Sequence, residues 1–307
     1  MVEFEIGLPT FNETFKGGSL SDKIKEFKSK YPNIKLSLYD GFFSHFSSGR
    51  FSYNDKNQTI KNIEIINHEK IPFVLVMSTG LLFDKLPLST MTIEKEVLSF
   101  LENNAKKENI WNGVVIGHDD LLDYVKKNNP DLKTICSTIQ MIDVNKFTSY
   151  EDKFQKYDLV VPLNQHTSYD FLKQFSQYKE KMLLFLNLPC YENNLFKCYE
   201  HYSNIELKIL AGHGMIPENV KYDFDDFSSK EQFKIIFSKD DLVKSKNLIS
   251  NYCKNIPCGD ISGKSNLLYL RDDLFQLYSM GVNKFKIPRE FKLDLDQLDI
   301  VSHFFKD

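Results

Sequence analysis

Short runs of apolar residues recur along the chain, and most are followed by a stretch with helical spacing. We predict eight strands from these runs: Val2–Leu8, Ile34–Tyr39, Pro72–Met77, Gly113–Gly117, Leu132–Cys136, Leu159–Leu163, Met182–Leu186 and Asn283–Ile287. The stretches 19–33 and 92–107 carry apolar residues every three or four positions, which predicts amphipathic helices. Strands that alternate with helices indicate a parallel sheet covered by helices.

The number of strand–helix units indicates the fold class. Eight units in 307 residues fit an α/β protein with a (βα)8 TIM-like barrel, as one domain over residues 1–307. The spacing is irregular between the seventh and eighth strands, where we predict an insertion at about 211–265. The same alternation also permits a doubly wound open sheet. Since no glycine-rich phosphate-binding motif follows a strand, a nucleotide-binding version of that alternative is disfavoured.

The composition is that of a globular protein without a strong charge bias. Hydrophobic residues make up 42% of the chain, and the formal net charge is −3, which disfavours nucleic-acid binding. The apolar runs are too short to cross a bilayer, and the N-terminus MVEFEIGLPT lacks the basic and apolar regions of a signal peptide. We expect a cytoplasmic protein with a small-molecule substrate and no membrane partner. A protein partner or a homo-oligomer stays open.

Polar residues after the predicted strands are candidate site residues, because barrel enzymes carry their chemistry at the carboxyl ends of the strands. Candidates for proton transfer are Asp40, His118 and His166. Candidates for binding an anionic substrate group are Arg50, Asn187, Lys286 and Arg289. His118 also fits the N-cap of the helix that follows it, a structural role worth about 1 kcal/mol.

The five cysteines fall into two classes. Cys136 lies within an apolar strand and is predicted to be a buried, inert thiol. The others form two pairs, Cys190 with Cys198 and Cys253 with Cys258, which could supply the four thiolates of a [4Fe–4S] cluster or a zinc site. Their spacings are wider than the usual CxxC, so four unrelated thiols are the alternative.

The order of motifs resembles that of the collagenase-like peptidase (U32-type) superfamily of barrel proteins. The resemblance rests on LYDGFF, SGR, IPFVLVMSTGLL, NGVVIGHDDLLDYVKKNNPDLKTICSTIQ, NLPCYENNLFKCYEHY and MGVNKFKIPRE. It is greatest to a little-characterised bacterial branch. Related members take part in O2-independent ubiquinone hydroxylation and in RNA base hydroxylation, and several carry a [4Fe–4S] cluster.

The resemblance implies roles for particular residues. Cys190 and Cys198 match the paired cysteines after the seventh strand, so Cys253 and Cys258 would complete a [4Fe–4S] site, although their spacing departs from the family's. Lys286 matches a terminal basic motif in which Pro288 stands where glycine is usual. Arg289 belongs to the same motif, and Ser48-Gly49-Arg50 resembles a GGR element. The glycine and serine of the collagenase-type motif are absent, which argues against protease activity.

Three functions follow as hypotheses. The first is an iron–sulfur enzyme in redox or hydroxylation chemistry on a small anionic substrate. The second is a cluster-free barrel enzyme that acts on a sugar-derived or other small anionic metabolite, which would need two proton-transfer groups near one substrate. The third is a non-catalytic binding protein.

Overall fold

Eight parallel strands close into a barrel in chain order, with β1 paired to both β2 and β8. The computed structural model describes residues 1–42, 44, 46, 54–77, 88–137, 149–161, 169–185, 277–287, 293 and 295–304. The strands are β1 (Val2–Gly7), β2 (Ile34–Asp40), β3 (Phe73–Met77), β4 (Gly113–Ile116), β5 (Lys133–Cys136), β6 (Asp158–Val160), β7 (Met182–Phe185) and β8 (Lys284–Ile287). The predicted (βα)8 barrel is confirmed, and the open sheet is not what the chain forms.

The predicted strand bounds agree closely with the observed ones. Seven of the eight strands match to within one residue at each end, whereas the sixth, predicted as Leu159–Leu163, ends at Val160. Leu163 and Leu186, the predicted ends of the sixth and seventh strands, lie outside the described residues, as does the predicted insertion at 211–265. The single domain over the whole chain therefore stays a prediction.

Helices cover the outside of the barrel. The described helices are α1 (Leu8–Thr14), α2 (Leu20–Lys30), α3 (Lys56–His68), α4 (Ile93–Glu108), α5 (Asp119–Asn128), α6 (Tyr150–Lys156), α7 (Tyr169–Gln174) and α8 (Leu295–Phe304), with 3-10 turns at Leu88–Thr90 and Ser176–Lys181. Helix α2 begins at a capping box, in which Ser19 accepts from the amide of Asp22 and Asp22 accepts from the amide of Ser19. Its apolar residues Ile24 and Phe27 are buried against the barrel. Among the described helices, none combines the length and the apolar character needed to cross a membrane.

Alternate strand residues face two separate apolar layers, as the pleat of a strand requires. On β1, Phe4 and Ile6 pack between the strands and the helices. A second cluster fills the barrel lumen with mostly branched and aromatic side chains: Tyr39, Val74, Val76, Val115, Ile135, Val160, Leu183 and Phe185. Glu3 and Glu5 alternate with the outer residues of β1, so they lie on its lumen side.

Three buried asparagines join α3, α4 and the start of β4 near the amino ends of the strands. The side-chain amide of Asn112 donates to Asn67 at 2.7 Å and to the Leu101 carbonyl at 3.0 Å. Its oxygen accepts from the Asn67 amide at 3.0 Å and from the backbone N–H of Phe73 at 2.8 Å. Asn104 donates to Asn67 at 2.8 Å. Asn112 thus satisfies an N–H at the start of β3 that would otherwise be buried without an acceptor.

Tyrosine–carboxylate hydrogen bonds link neighbouring elements of the outer layer. The hydroxyls of Tyr31, Tyr157 and Tyr178 donate to Asp299, Asp123 and Glu151. Burial, together with the hydrogen bond to Asp123, raises the pKa of Tyr157 above its ordinary value. The neutral phenol is therefore the form that the fold favours.

Candidate functional site

An ion pair between Glu5 and Lys286 lies inside the lumen. The register of β1 and β8 places the two residues opposite each other, and Lys286 Nζ donates to Glu5 Oε1. Each side chain is only 3% exposed. Lys286 is the second-last residue of β8, so its ammonium lies towards the carboxyl ends of the strands, where barrel sites form.

Tyr39 holds the ammonium group of Lys286 from the neighbouring side of the lumen. Lys286 Nζ lies 3.6 Å from the centroid of the Tyr39 ring, a cation–π contact. The Tyr39 hydroxyl donates to the Ile287 carbonyl at 3.0 Å, which fixes the ring across the gap from β2 to β8. The position of the Lys286 amine is therefore set by a carboxylate and an aromatic face together.

Ser37 extends this polar row onto a third strand. It is the register partner of Glu5 on β2, as Lys286 is on β8, so the three residues lie in one row on the lumen side. Ser37 is completely buried, and its hydroxyl has no hydrogen-bond partner among the described residues. A buried hydroxyl without a partner costs free energy, so a water or a ligand atom is the group expected to satisfy it.

Asp40, a predicted proton-transfer residue, points away from the lumen. It follows the lumen residue Tyr39 on β2, so its side chain lies on the opposite face of the strand. Its carboxylate accepts from the amide of Gly41 at 2.8 Å and from the side chain of Asn54 at 3.2 Å. These bonds fix the backbone directly after β2. The role in proton transfer stays a prediction.

His118 occupies the N-cap of α5, which confirms the structural alternative for this residue. Its Nδ1 accepts from the amide of Asp120 at 3.3 Å. The next residue, Asp119, forms an ion pair with Lys153, a buried lysine of α6. His118 is not part of the Glu5–Lys286 cluster, and a catalytic role for it stays a prediction.

Several predicted site residues cannot be placed. Outside the described residues lie His166, Arg50, Asn187, Arg289, Cys190, Cys198, Cys253 and Cys258. Within the described part of the chain, no three His, Cys, Asp or Glu side chains form a group that could hold a metal ion. Cys136 is buried as predicted, and burial raises the pKa of its thiol to about 12, so the reactive thiolate is disfavoured.

Two acidic residues near the barrel axis or mouth were missed by the sequence reasoning. Glu5 carried a signal, since Glu3 and Glu5 are the two charged residues that alternate with apolar residues in VEFEIG. Glu94, in the first turn of α4, carried no such signal. It is 3% exposed, and burial raises the pKa of its carboxyl, although hydrogen bonds act in the opposite direction. Because α4 follows β3, Glu94 lies towards the mouth end of the barrel.

Comparison with known proteins gives no relative from which a role could be taken. No family model matches the chain, and no curated protein matches it. The fold and the lumen cluster define a (βα)8 barrel with a buried polar group below its mouth, and the resemblance to the U32-type superfamily stays a prediction.

Proposed function

We propose that this protein is a barrel enzyme that acts on a small anionic metabolite at the carboxyl ends of its strands. The Glu5–Lys286 pair beside Tyr39 is the observation that carries the proposal. Removing two charges from water costs several kcal/mol per ion, and apolar residues of similar size often stabilise a fold equally well. Charged groups kept in a mostly apolar lumen, near the end of the barrel where the enzymes of this fold bind and convert substrates, favour a functional role.

The charge balance of the lumen divides the roles among the candidate residues. Glu5 already compensates the charge of Lys286, so the pair as a whole adds no net charge for attracting an anion. We therefore assign the anionic substrate group to Arg50 and Arg289, which follow β2 and β8, the strands that carry Tyr39 and Lys286. Lys286 is assigned to the polar, uncharged end of the substrate.

A ligand screen with matched variants tests this assignment. Wild-type protein is heated with a panel of small carboxylates and phosphate esters, and the melting temperature is recorded for each. A compound that binds should stabilise wild type, and Arg289→Ala should lose that stabilisation. Lys35→Met is the control, since Lys35 is an exposed lysine at the amino end of β2. A hit that stabilises Arg289→Ala and Arg50→Ala as much as wild type would refute the proposed anion site.

The iron–sulfur version of the proposal has one supporting observation. Phe185, the last residue of β7, is the register partner of Lys286 on β8. Strand β7 therefore ends next to the Glu5–Lys286 pair, five residues before Cys190. A cluster held by Cys190, Cys198, Cys253 and Cys258 would serve redox or hydroxylation chemistry there.

Metal analysis distinguishes the two versions. Iron and acid-labile sulfide are measured on protein purified without oxygen, beside Cys190→Ala and Cys136→Ala. About four iron atoms per chain, lost in Cys190→Ala and kept in Cys136→Ala, would support the cluster. Wild-type protein without iron would refute the cluster and leave the cluster-free enzyme.

A further inference from the structure

We propose that Lys286 is a nucleophilic amine that forms an imine with a small carbonyl compound, an aldehyde or a keto acid. This inference rests on the proposed function, because it uses the same site and assigns its substrate class. It depends on four described residues on three adjacent strands: Glu5, Ser37, Tyr39 and Lys286.

Position and surroundings suit Lys286 for this role. A lysine amine attacks a carbonyl only in its neutral form. Removal from water favours that form, and a carboxylate in contact with the ammonium, which by itself favours the charged form, is placed to accept the proton. Lys286 has both, because the lumen around it is lined by residues such as Val160, Leu183 and Phe185, and Glu5 contacts its Nζ. The Tyr39 ring restricts the amine to one side, so the nitrogen cannot move freely within the lumen.

Glu5 supplies the proton transfers that imine formation needs. It takes a proton from the Lys286 ammonium, and the neutral amine then attacks the carbonyl carbon, so that a C–N bond forms. The carbonyl oxygen receives the proton from Glu5 to give a carbinolamine. Glu5 then takes a second proton from the nitrogen and delivers it to the hydroxyl, the C–O bond breaks, and water leaves. The product is a protonated imine on Lys286, which keeps its ion pair with the Glu5 carboxylate.

The hydroxyl of Ser37 has a place in this sequence. It lies beside Glu5 in the row and lacks a partner among the described residues. A carbinolamine carries a new hydroxyl where the ground state has none, and a buried hydroxyl nearby can hydrogen-bond to it or to the departing water. A structural ion pair alone would leave this group unexplained.

Reductive trapping tests the inference on the wild-type chain. The protein is incubated with glycolaldehyde, dihydroxyacetone or pyruvate, borohydride is added, and the modified lysine is identified by peptide mapping. We expect one label per chain from at least one of these probes, on Lys286, at a rate above that of each of the other 35 lysines.

 Lysines whose side chains the structure shows to be exposed, such as Lys25 and Lys70, act as an internal comparison within the same sample. Labels spread over exposed lysines, with Lys286 unmodified, would overturn the inference.

Two variants separate imine chemistry from a merely structural pair. Glu5→Gln keeps the size of the side chain but removes the base, and labelling of Lys286 should become about 100-fold slower. Lys286→Arg keeps the positive charge and should abolish the specific label, while Lys35→Met keeps it. Equal labelling rates in Glu5→Gln and wild type would refute the role of Glu5. If metabolite anions bind through Arg289 while Lys286 resists every probe, the imine is wrong and the proposed function stands.

Discussion

The energetic cost of the lumen ion pair can be measured by removing its members singly and together. The variants are Lys286→Met, Glu5→Gln and the double variant. Each single change leaves a buried polar or charged group without the partner it has in the fold, since both side chains are 3% exposed. The double change replaces the pair by two uncharged side chains of similar length.

The structure sets the expected magnitudes. Removing one member of a buried pair costs about 3–5 kcal/mol, because the remaining charge stays out of water. The double variant should cost at least about 2 kcal/mol less than the sum of the two single changes. The pair of Lys56 and Glu96 is the control: its charged groups are in contact at 2.6 Å, but its side chains are 35% and 54% exposed. Its removal should cost at most about 1 kcal/mol.

Urea unfolding followed by fluorescence measures these differences. The chain has one tryptophan, Trp111, which packs against the apolar side chains that fill the lumen and therefore reports on the barrel interior. Unfolding midpoints and slopes give the free energy of unfolding of each variant. The reasoning would be refuted if Lys286→Met cost no more than Lys56→Met, or if the two lumen changes were additive to within about 0.5 kcal/mol.

Three further predictions concern the rest of the barrel. Asn112→Ala removes four hydrogen bonds and should destabilise the protein by about 4 kcal/mol, whereas Asn62→Ala, on α3 near the surface, should cost under about 0.5 kcal/mol; urea unfolding compares them. Because the pKa of Tyr157 is raised in the fold, its contribution to the free energy of unfolding is present below the ordinary tyrosine pKa and is lost as pH rises through the pKa of the folded state. Unfolding titrations above pH 10 should therefore show a smaller loss of stability with pH in Tyr157→Phe than in wild type. Cys136 should react with iodoacetamide at pH 8 only after unfolding, as mass spectrometry can show.

The sequence predicted the barrel well because its strands are short apolar runs that are separated by stretches with helical spacing. The strand before α1 shows the limit of this reasoning. Val2–Leu8 was predicted as strand, but Leu8 begins α1, in which Pro9 suits the first turn. Nothing in the apolar pattern distinguishes the last residue of a strand from the first residue of a buried helix.

The site was harder to predict than the fold. Lys286 was named from its position after an apolar run, but its partner Glu5 lies 281 positions away. Their contact depends on the register with which β1 meets β8, and a single sequence contains no information on that register. His118 and Asp40 were named because polar residues follow strands, and both have hydrogen bonds that fix the local backbone. A position at the end of a strand therefore identifies the region in which a site lies, but it does not identify which residues belong to the site.

The pairing of β1 with β8 also determines when the barrel can be completed during synthesis. β1 leaves the ribosome first, and β2 can cover one of its edges early, but the other edge has no partner until β8 has emerged. At ribosomal rates of about 5–20 residues per second, those 281 positions take roughly half a minute. During that time an open strand edge next to Glu5 is available to the wrong partner. The carboxylate of Glu5 makes apolar strand pairing at this edge less favourable, because a wrong partner would bury a charge that only Lys286 compensates in the finished barrel.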